Sequence, residues 1–501
     1  MRSHKGLKRR SSGVLLHPTS LPGRLGQGSL GPEARLFIDF LSAARQTWWQ
    51  ILPLNAPAAE YSPYRGESAF AANPLLISPD DLADWGLLGG KELPGFEKAD
   101  LSVVDFRHSE RLMSALLKKA FRTFESDSGA DERRCFDDFY SKNALWLEDY
   151  ALFKTIAKHT GKKKWTLWPA ELRLRDKSVL TKFHTTSQHE LRYICFVQYL
   201  FHRQWSELSA YAHARGIGLI GDLPIFVDAG SADVWSHSAY FQLDTRGRPK
   251  LLAGVPPDYF SAEGQLWGNP LYDWERLGDS GYDWWIQRLA HNIRLFDLVR
   301  IDHFRGFAAA WGVPAGSRTA QSGKWMPGPG EDLFRRAEEV LGSLPVVAED
   351  LGLITPDVVK LRRKLSFPGM RVLQFGFGGP TGKSFHLPHG YPRRSVAYTG
   401  THDNDTLQGW YSALPRKLQA EVRTYTRSVH SDIHWGCIQA VWASVADLAV
   451  VPMQDVLGLG SEYRMNTPGT SSGNWTWKLK RSELDGANAH RLAAITELYG
   501  R

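Results

Sequence analysis

Cysteine is scarce in this chain. Three cysteines occur among 501 residues, at positions 135, 195 and 437, and their number is odd. Disulfide-dependent secreted domains and cysteine zinc sites both need paired cysteines, so this distribution argues against either. It indicates a reducing compartment, and we expect a cytoplasmic location.

Long apolar stretches are also absent from the sequence. No run approaches the roughly 20 apolar residues that span a bilayer, and the stretch at 12–18 is too weakly apolar for a signal peptide. Hydrophobic residues make up 43% of the chain and charged residues 23%, which is typical of a globular protein with a large core. We therefore expect no membrane partner.

An excess of charge of one sign is found only at the beginning of the chain. The net charge is +8, and five basic residues supply most of it without an acidic neighbour: Arg2, Lys5, Lys8, Arg9 and Arg10. Basic tails can bind polyanions, but a short solvated tail accounts for this one. We expect a disordered basic tail over residues 1–11 and no nucleic-acid partner.

Short β-rich segments alternate with helical segments along the rest of the chain, a pattern that predicts parallel strands with crossover helices. Eight strands are predicted, at 13–16, 49–52, 218–223, 298–304, 345–351, 369–375, 395–401 and 448–456. Eight such units predict an α/β fold, the (β/α)8 TIM barrel, over residues 12–501. The segment 485–500 reads as a helix, so we expect no all-β domain at the C-terminal end.

The gaps between the predicted strands are unequal, which locates insertions in the barrel. Residues 80–205 carry helical spacing of their own and predict an inserted helical subdomain. Residues 230–290 are rich in Trp, Tyr, Pro and Gly and predict an aromatic, loop-rich insertion. Its glycines and aromatics suggest a flexible cover over a binding groove.

Acidic residues lie at the ends of three predicted strands. Asp302, Glu349 and Asp403 belong to segments separated by tens of residues, but the C-terminal ends of barrel strands converge on one face. Paired acids suit glycosidic chemistry, in which an ionised acid attacks the anomeric carbon and a protonated acid protonates the leaving oxygen. Any one of them alone could be a salt bridge or a helix cap, and the set of three favours catalysis.

The stretch "LVRIDHF" at 298–304 adds a charge pair to this set. Residues i and i+2 of a strand share a face, so Arg300 and Asp302 are predicted to project together, each offsetting the cost of burying the other. A neighbouring guanidinium favours an ionised Asp302. The apolar residues before Glu349 are expected to raise the pKa of that carboxyl group.

Eight sequence blocks carry a family resemblance. They are "GVLLHPTSLPG", "SPYRGESAFAANPLLI", "GDLPIFV", "VPPDYFSAEGQLWGNPLYDW", "RIDHFRGF", "VAEDLG", "TGTHDNDT" and "PMQDVLGLGSEYRMNTPGTSSGNWTW". In this order, from about residue 12 to 477, they resemble the blocks of amylomaltase, the 4-α-glucanotransferase family of the α-amylase clan. The resemblance implies retaining transfer on α-1,4-glucans, with Asp302 as nucleophile, Glu349 as general acid/base and Asp403 as transition-state stabiliser.

A glucan groove needs aromatic faces for sugar rings and polar groups for hydroxyls. Seven residues are candidates for substrate binding: Tyr64, Asp222, Tyr259, Phe260, Trp267, Arg300 and His402. The implied partners are α-1,4-glucans and maltooligosaccharides as donor and acceptor, with glucose as an acceptor. The family resemblance implies no cofactor, and no cluster with metal-ligand spacing is visible, so we expect neither cofactor nor metal.

Three functions from different classes remain open at this point. The leading one is a 4-α-glucanotransferase, the second is an α-glucan hydrolase on the same barrel, and the third is a glucan-binding protein without catalysis. The presence of Arg300 and all three acids argues against the third. The helical C-terminal segment, in place of the all-β domain that α-amylases generally append, favours the transferase over the hydrolase.

Overall fold

The chain forms a closed barrel of parallel strands. The structure is a computed structural model that describes residues 7, 9–58, 60–95, 103–257 and 262–501. Within those residues the strands are β1 (Ser11–Leu15), β2 (Trp48–Gln50), β3 (Gly218–Pro224), β4 (Leu251–Val255), β5 (Gln265–Pro270), β6 (Leu298–Asp302), β7 (Ala309–Pro314), β8 (Lys324–Pro327), β9 (Val346–Ala348), β10 (Gly369–Val372), β11 (Ser395–Tyr398) and β12 (Leu448–Pro452). The barrel order is β1, β2, β3, β6, β9, β10, β11, β12, with all neighbours parallel. The predicted TIM barrel is confirmed.

All eight predicted barrel strands are present, and the differences lie at their ends. The segments predicted at 298–304 and 345–351 run past the observed ends at Asp302 and Ala348. His303 adopts a φ of 52°, a left-handed conformation that stops a strand. After Ala348 the chain turns, so that the Leu351 N–H donates to Glu349 Oε1 at 2.7 Å. The strands end where the chain builds loops with polar residues.

The barrel interior contains a few polar side chains that bond to one another. Asp222 on β3 and Arg300 on β6 are register partners, so their side chains point to the same side of adjacent strands. The Tyr398 hydroxyl donates to Gln50 Oε1 at 2.9 Å. Buried polar groups need such partners because an unpaired one is costly. The register of β3 and β6 thus brings an acidic and a basic side chain together without any contribution from a loop.

Helices separate most of the barrel strands along the chain and make up most of the segment between β2 and β3. They are α1 (Pro32–Ala43), α2 (Pro79–Asp84), α3 (Phe106–Asp127), α4 (Ala130–Thr160), α5 (Ala170–Arg173), α6 (Lys177–Thr186), α7 (Gln188–Ala214), α8 (Ala232–Ser236), α9 (Trp274–Asp279), α10 (Asp283–Leu295), α11 (Asp332–Leu341), α12 (Pro356–Lys364), α13 (Leu407–Ala413), α14 (Arg416–Thr426), α15 (Ile433–Ala443), α16 (Met453–Val456) and α17 (Gly486–Leu498). Short 3₁₀ turns, instead of an α-helix, connect β10 to β11.

Aromatic side chains pack the helices that lie between β2 and β3. Phe124 of α3 contacts Phe196 of α7 and Phe136 of α4, with ring centroids 4.7 Å and 5.5 Å apart. Such pairs contribute roughly 0.5–1.5 kcal/mol each beyond the burial of their area. The range predicted as an inserted subdomain, about 80–205, therefore contains helices that pack on one another, and their buried side chains form one continuous core with the barrel. Its independence as a domain stays a prediction.

The range predicted as a loop-rich insertion, about 230–290, is more regular than expected. It contains β4 and β5, which join β7 and β8 in an antiparallel sheet of order β5–β4–β7–β8. The sequence interpretation missed this sheet because its strands come from two segments on either side of β6. Residues 258–261, which include the predicted Tyr259 and Phe260, lie outside the described residues. The rest of the range predicted as a cover is described and contains β4 and β5, and its movement over a groove stays a prediction.

Three further expectations concern the beginning of the chain, membranes and cysteines. Most of the predicted tail lies outside the described residues, but Ser11 begins β1, and Arg10 donates to the Tyr499 carbonyl at 2.7 Å, so the ordered barrel starts before residue 12. In the part of the chain that the structure describes, no helix has the length and apolarity to cross a membrane. Cys135, Cys195 and Cys437 are free thiols.

Candidate active site

The three predicted acids lie on one rim of the barrel. Asp302 is the last residue of β6, Glu349 follows β9 directly, and Asp403 lies in the loop after β11. Because β6, β9 and β11 are parallel, these positions share the carboxyl end of the barrel. The His303 N–H next to Asp302 donates to Glu349 Oε2 at 2.8 Å, so the first two acids are close neighbours.

Arg300 connects two of the carboxylates below this rim. Its Nη1 donates to Asp222 Oδ1 and Oδ2 at 2.7 and 2.6 Å, and its Nη2 donates to Asp302 Oδ1 at 2.8 Å. Arg300 and Asp222 are buried, whereas the Asp302 side chain keeps 28% exposure. The predicted Arg300–Asp302 pair therefore exists, with Asp222 as a second anionic partner, and leaves part of the Asp302 carboxylate accessible.

The pKa of Asp302 is raised to about 6, mainly by burial. Arg300 acts in the opposite direction, and the negative charges of Asp222 and Asp403 add to the rise. Arg300 favours the ionised form, as the sequence suggested, but it does not bring the pKa below its usual range. At neutral pH the carboxylate is mostly ionised.

Glu349 is held by two backbone N–H groups and is buried. Oε2 accepts from His303 and Oε1 accepts from Leu351. The pKa of Glu349 is raised to about 8, mainly by burial and also by the charge of Asp302, while Arg300 and the two N–H donors oppose the rise. The expected rise in this pKa is therefore present. At neutral pH this carboxyl group mostly holds a proton, whereas its neighbour Asp302 has mostly lost one.

An aromatic group borders the carboxylates on another side. The Tyr64 hydroxyl donates to Asp222 Oδ2 at 2.6 Å, and the Tyr64 ring stacks on the His402 imidazole with centroids 5.1 Å apart at 15°. Trp475 lies behind both rings, 5.8 Å from Tyr64 and 6.0 Å from His402. The structure thus brings the predicted Tyr64, His402 and Asp222 into one connected set.

The Asp403 carboxylate is bonded by a residue from the far end of the chain. Asn466 Nδ2 donates to Asp403 Oδ1 at 2.6 Å, and Arg464 Nη2 donates to the Asp403 carbonyl at 2.5 Å. His402 Nε2 lies 3.4 Å from Asp403 Oδ2. The Asp403 side chain remains 45% exposed, so a ligand can reach it.

Trp267 lies near the first two acids. Its indole ring on β5 meets the His303 imidazole edge to face, with centroids 4.8 Å apart at 87°, and its Nε1 donates to Gln265 Oε1. Because His303 directly follows Asp302, the contact with His303 brings the Trp267 ring close to that acid. Of the seven predicted substrate-binding residues, five are placed around the acids, and Tyr259 and Phe260 are in the part of the chain that is not described.

The sequence interpretation assigned no role to Arg464, Asn466 or Trp475. All three belong to the block at 452–477, whose similarity to the family was visible, but nothing local distinguished them from other loop residues. The N–H groups of His303 and Leu351 were also missed, because a backbone donor leaves no mark in the sequence. Among the residues that the structure describes, no group of three or more His, Cys, Asp or Glu side chains could hold a metal ion.

A family model and similar sequences of known proteins all indicate the same protein family. A family model described as 4-α-glucanotransferase matches residues 16–484. The chain is 47% identical to the 4-α-glucanotransferase of Thermus thermophilus, over 98% of this chain and 99% of the relative. It is 46% identical to that of Synechocystis sp., over 99% of both.

Solved structures agree with the sequence relatives. The amylomaltase of Streptococcus agalactiae, solved in complex with acarbose, is 38% identical, with a TM-score of 0.95 over 98% of this chain and 100% of that one. The amylomaltase of Corynebacterium glutamicum shares the fold at 19% identity, with a TM-score of 0.79 over 98% of this chain and 75% of that one. With a matching barrel, near-complete coverage and identities above 40%, the chain belongs to the 4-α-glucanotransferase family and is an enzyme of that activity.

Proposed function

We propose that the enzyme transfers α-1,4-glucan segments between maltooligosaccharide, starch or glycogen chains with retention of configuration, through a covalent glycosyl–enzyme intermediate. Asp302 is the nucleophile, Glu349 the general acid/base and Asp403 the stabiliser of the transition state. The observation that carries this proposal is that Asp302 and Glu349 are neighbours on the rim in different surroundings: Arg300 binds the Asp302 carboxylate, whereas Glu349 is buried against two backbone N–H groups. These surroundings separate the two pKa values, about 6 for Asp302 and about 8 for Glu349. Such a separation gives one carboxylate and one protonated acid at neutral pH.

In the first step Glu349 gives its proton to the glycosidic oxygen, while an Asp302 oxygen forms a bond to the anomeric carbon. The bond from that carbon to the leaving glucan breaks, and the glucan departs with the proton. Glu349 is then ionised, and the N–H groups of His303 and Leu351 stabilise its charge. The step leaves a glucosyl ester on Asp302 and a base poised next to it.

In the second step a sugar 4-hydroxyl replaces the departed glucan. The Glu349 carboxylate takes the hydroxyl proton, the oxygen attacks the anomeric carbon, and the bond to Asp302 breaks. We propose that Asp222, Arg300, His402 and Tyr64 bind the donor sugar and that Trp267 binds an adjacent ring. Support comes from the similar amylomaltase of Streptococcus agalactiae, which was solved with acarbose, an oligosaccharide analogue. The roles of Tyr259 and Phe260 stay predictions.

Hydrolysis on the same site is the competing reaction, because water can also attack the intermediate. Transfer prevails when an acceptor is bound and aligned, which gives it a high effective molarity. With pure maltotriose as the only substrate, we expect glucose together with a ladder of oligosaccharides longer than maltotriose. The total of reducing ends should stay nearly constant, since each bond that breaks is remade.

A hydrolase would give different results both for the products and for the total of reducing ends. Reducing ends would rise in step with the loss of maltotriose, and no longer product would form. A second incubation with labelled glucose tests whether glucose acts as an acceptor: label should appear in maltooligosaccharides.

The expected cytoplasmic location belongs to the same proposal, and the three free thiols support it.

The pH dependence of transfer should follow the two acids. Asp302 acts when ionised and Glu349 when protonated, so kcat/KM should rise as pH increases through about 6 and fall as pH increases through about 8. Initial rates on maltotriose, measured across this range at constant ionic strength, test the prediction. A profile that stays flat from below pH 6 to above pH 8 would contradict the assignment of these two groups.

A further inference from the structure

A loop near the end of the chain reaches back to the acid after β11. This C-terminal loop, residues 464–475, follows α16 and bonds to Asp403, which lies more than 60 positions earlier. Asn466 donates to a side-chain oxygen of Asp403, and Arg464 donates to its carbonyl oxygen. The loop thus holds both the carboxylate and the backbone of one residue.

The contact between Asn466 and Asp403 fixes the direction of the carboxylate. Asn466 Nδ2 lies 2.6 Å from Oδ1, and His402 Nε2 lies 3.4 Å from Oδ2, so each oxygen has its own neighbour. An amide donor orients a carboxylate without supplying a full positive charge that would neutralise it. The Asp403 carboxylate is therefore held in a defined orientation.

The C-terminal loop is also fastened internally. Arg464 Nε donates to the Asn466 carbonyl at 2.6 Å, and the Trp475 N–H donates to the Met465 carbonyl at 2.7 Å. Asn474 Oδ1 accepts from the Thr467 N–H at 2.9 Å. Trp475 then packs against the stacked rings of Tyr64 and His402. These bonds fix the backbone at Asn466 and at both of its neighbours, so the side chain that reaches Asp403 starts from a fixed point.

We infer that Asn466 is a positioning residue, which acts through Asp403 by directing its carboxylate toward the sugar in the transition state. The inference rests on the proposed role of Asp403. A misdirected carboxylate still allows substrate to bind, but it loses the electrostatic stabilisation that develops as positive charge forms at the anomeric carbon. The effect should appear in kcat and much less in KM.

The test is a double-mutant cycle on transfer from maltotriose. Asn466→Ala should lower kcat at least about tenfold, with KM changed less than about threefold and an unchanged melting temperature. In the Asp403→Asn background the same change should lower kcat less than about threefold, since the group it supports has already lost its charge. Thr467→Ala, on the exposed neighbouring side chain, is the matched control and should behave as wild type.

A second variant, Asn466→Asp, tests the same contact with a side chain of nearly unchanged size. It replaces an N–H donor with a second carboxylate against Asp403, so it should lower kcat more than Asn466→Ala. An equal fold loss from Asn466→Ala in both backgrounds, or wild-type kcat in both Asn466 variants, overturns the inference alone. Wild-type kcat in Asp403→Asn itself would instead refute the proposed role of Asp403, and the inference with it.

Discussion

Glu349→Gln is expected to lower transfer from maltotriose at least about a hundredfold, because the amide cannot give a proton to the leaving oxygen or take one from the acceptor. Gln has nearly the shape of Glu but only one acceptor oxygen, so it keeps one of the two bonds from the His303 and Leu351 N–H groups, and the melting temperature should fall modestly while the variant still folds. The falling limb of the pH profile near pH 8 should disappear with the group that produces it. The measurement is the initial rate across pH for the purified variant.

The matched control is Glu338→Gln, on an exposed glutamate of α11. It makes the same chemical change away from the site and should retain wild-type rates. A second substrate, α-maltotriosyl fluoride, separates acid catalysis from other defects, because fluoride leaves without a proton. In the Glu349→Gln variant, release of fluoride in the first turnover should be much less impaired than release of glucan from maltotriose. Should this variant keep a tenth of the wild-type rate on maltotriose while it remains folded, Glu349 is not the proton donor.

Asp302→Asn is expected to lower transfer by at least about a hundredfold as well, since an amide oxygen is a far weaker nucleophile than a carboxylate. The loss should extend to α-maltotriosyl fluoride, because attack on the anomeric carbon is needed whatever the leaving group is. Arg300 keeps both of its bonds to Asp222, so the site should stay folded. Rates on both substrates, with melting curves, test this.

The two substitutions together distinguish the two roles. If Asp302→Asn retains activity on the fluoride while Glu349→Gln loses it, the assignments are reversed. Asp332→Asn, on an exposed acid of α11, controls for the loss of a charge and should be neutral. These outcomes depend on the chemistry of the leaving group, so they do not follow from a general loss of stability.

Local patterns in the sequence were sufficient to predict the barrel and the positions of its three acids. Parallel barrel strands are buried on both faces and stand out as short apolar runs, which is why all eight were predicted. An acid directly after such a run, such as Glu349 after β9, has a position that the fold class itself determines. The pairing of Arg300 with Asp302 follows from the period of two along a strand.

Contacts between distant segments could not be predicted in the same way. The antiparallel sheet pairs β4 with β7, and β6 of the barrel lies between them in the chain. Asn466 and Trp475 reach the site only because the C-terminal loop folds over the rim, and its bonds are tertiary. The raised pKa of Asp302 could not be predicted from the sequence either. Burial raises this pKa and Arg300 lowers it, and the balance depends on how deeply Asp302 and Arg300 are buried in the fold.

The covalent intermediate on Asp302 is the central claim, and mass spectrometry of the Glu349→Gln variant tests it most directly. With α-maltotriosyl fluoride the first step can proceed without the acid, but the second step lacks its base, so the glycosyl–enzyme should accumulate. Intact protein should gain the mass of one maltotriosyl group, and peptide mapping should place it on the peptide that contains Asp302. Fluoride release without any adduct, or an adduct on another residue, would contradict the account.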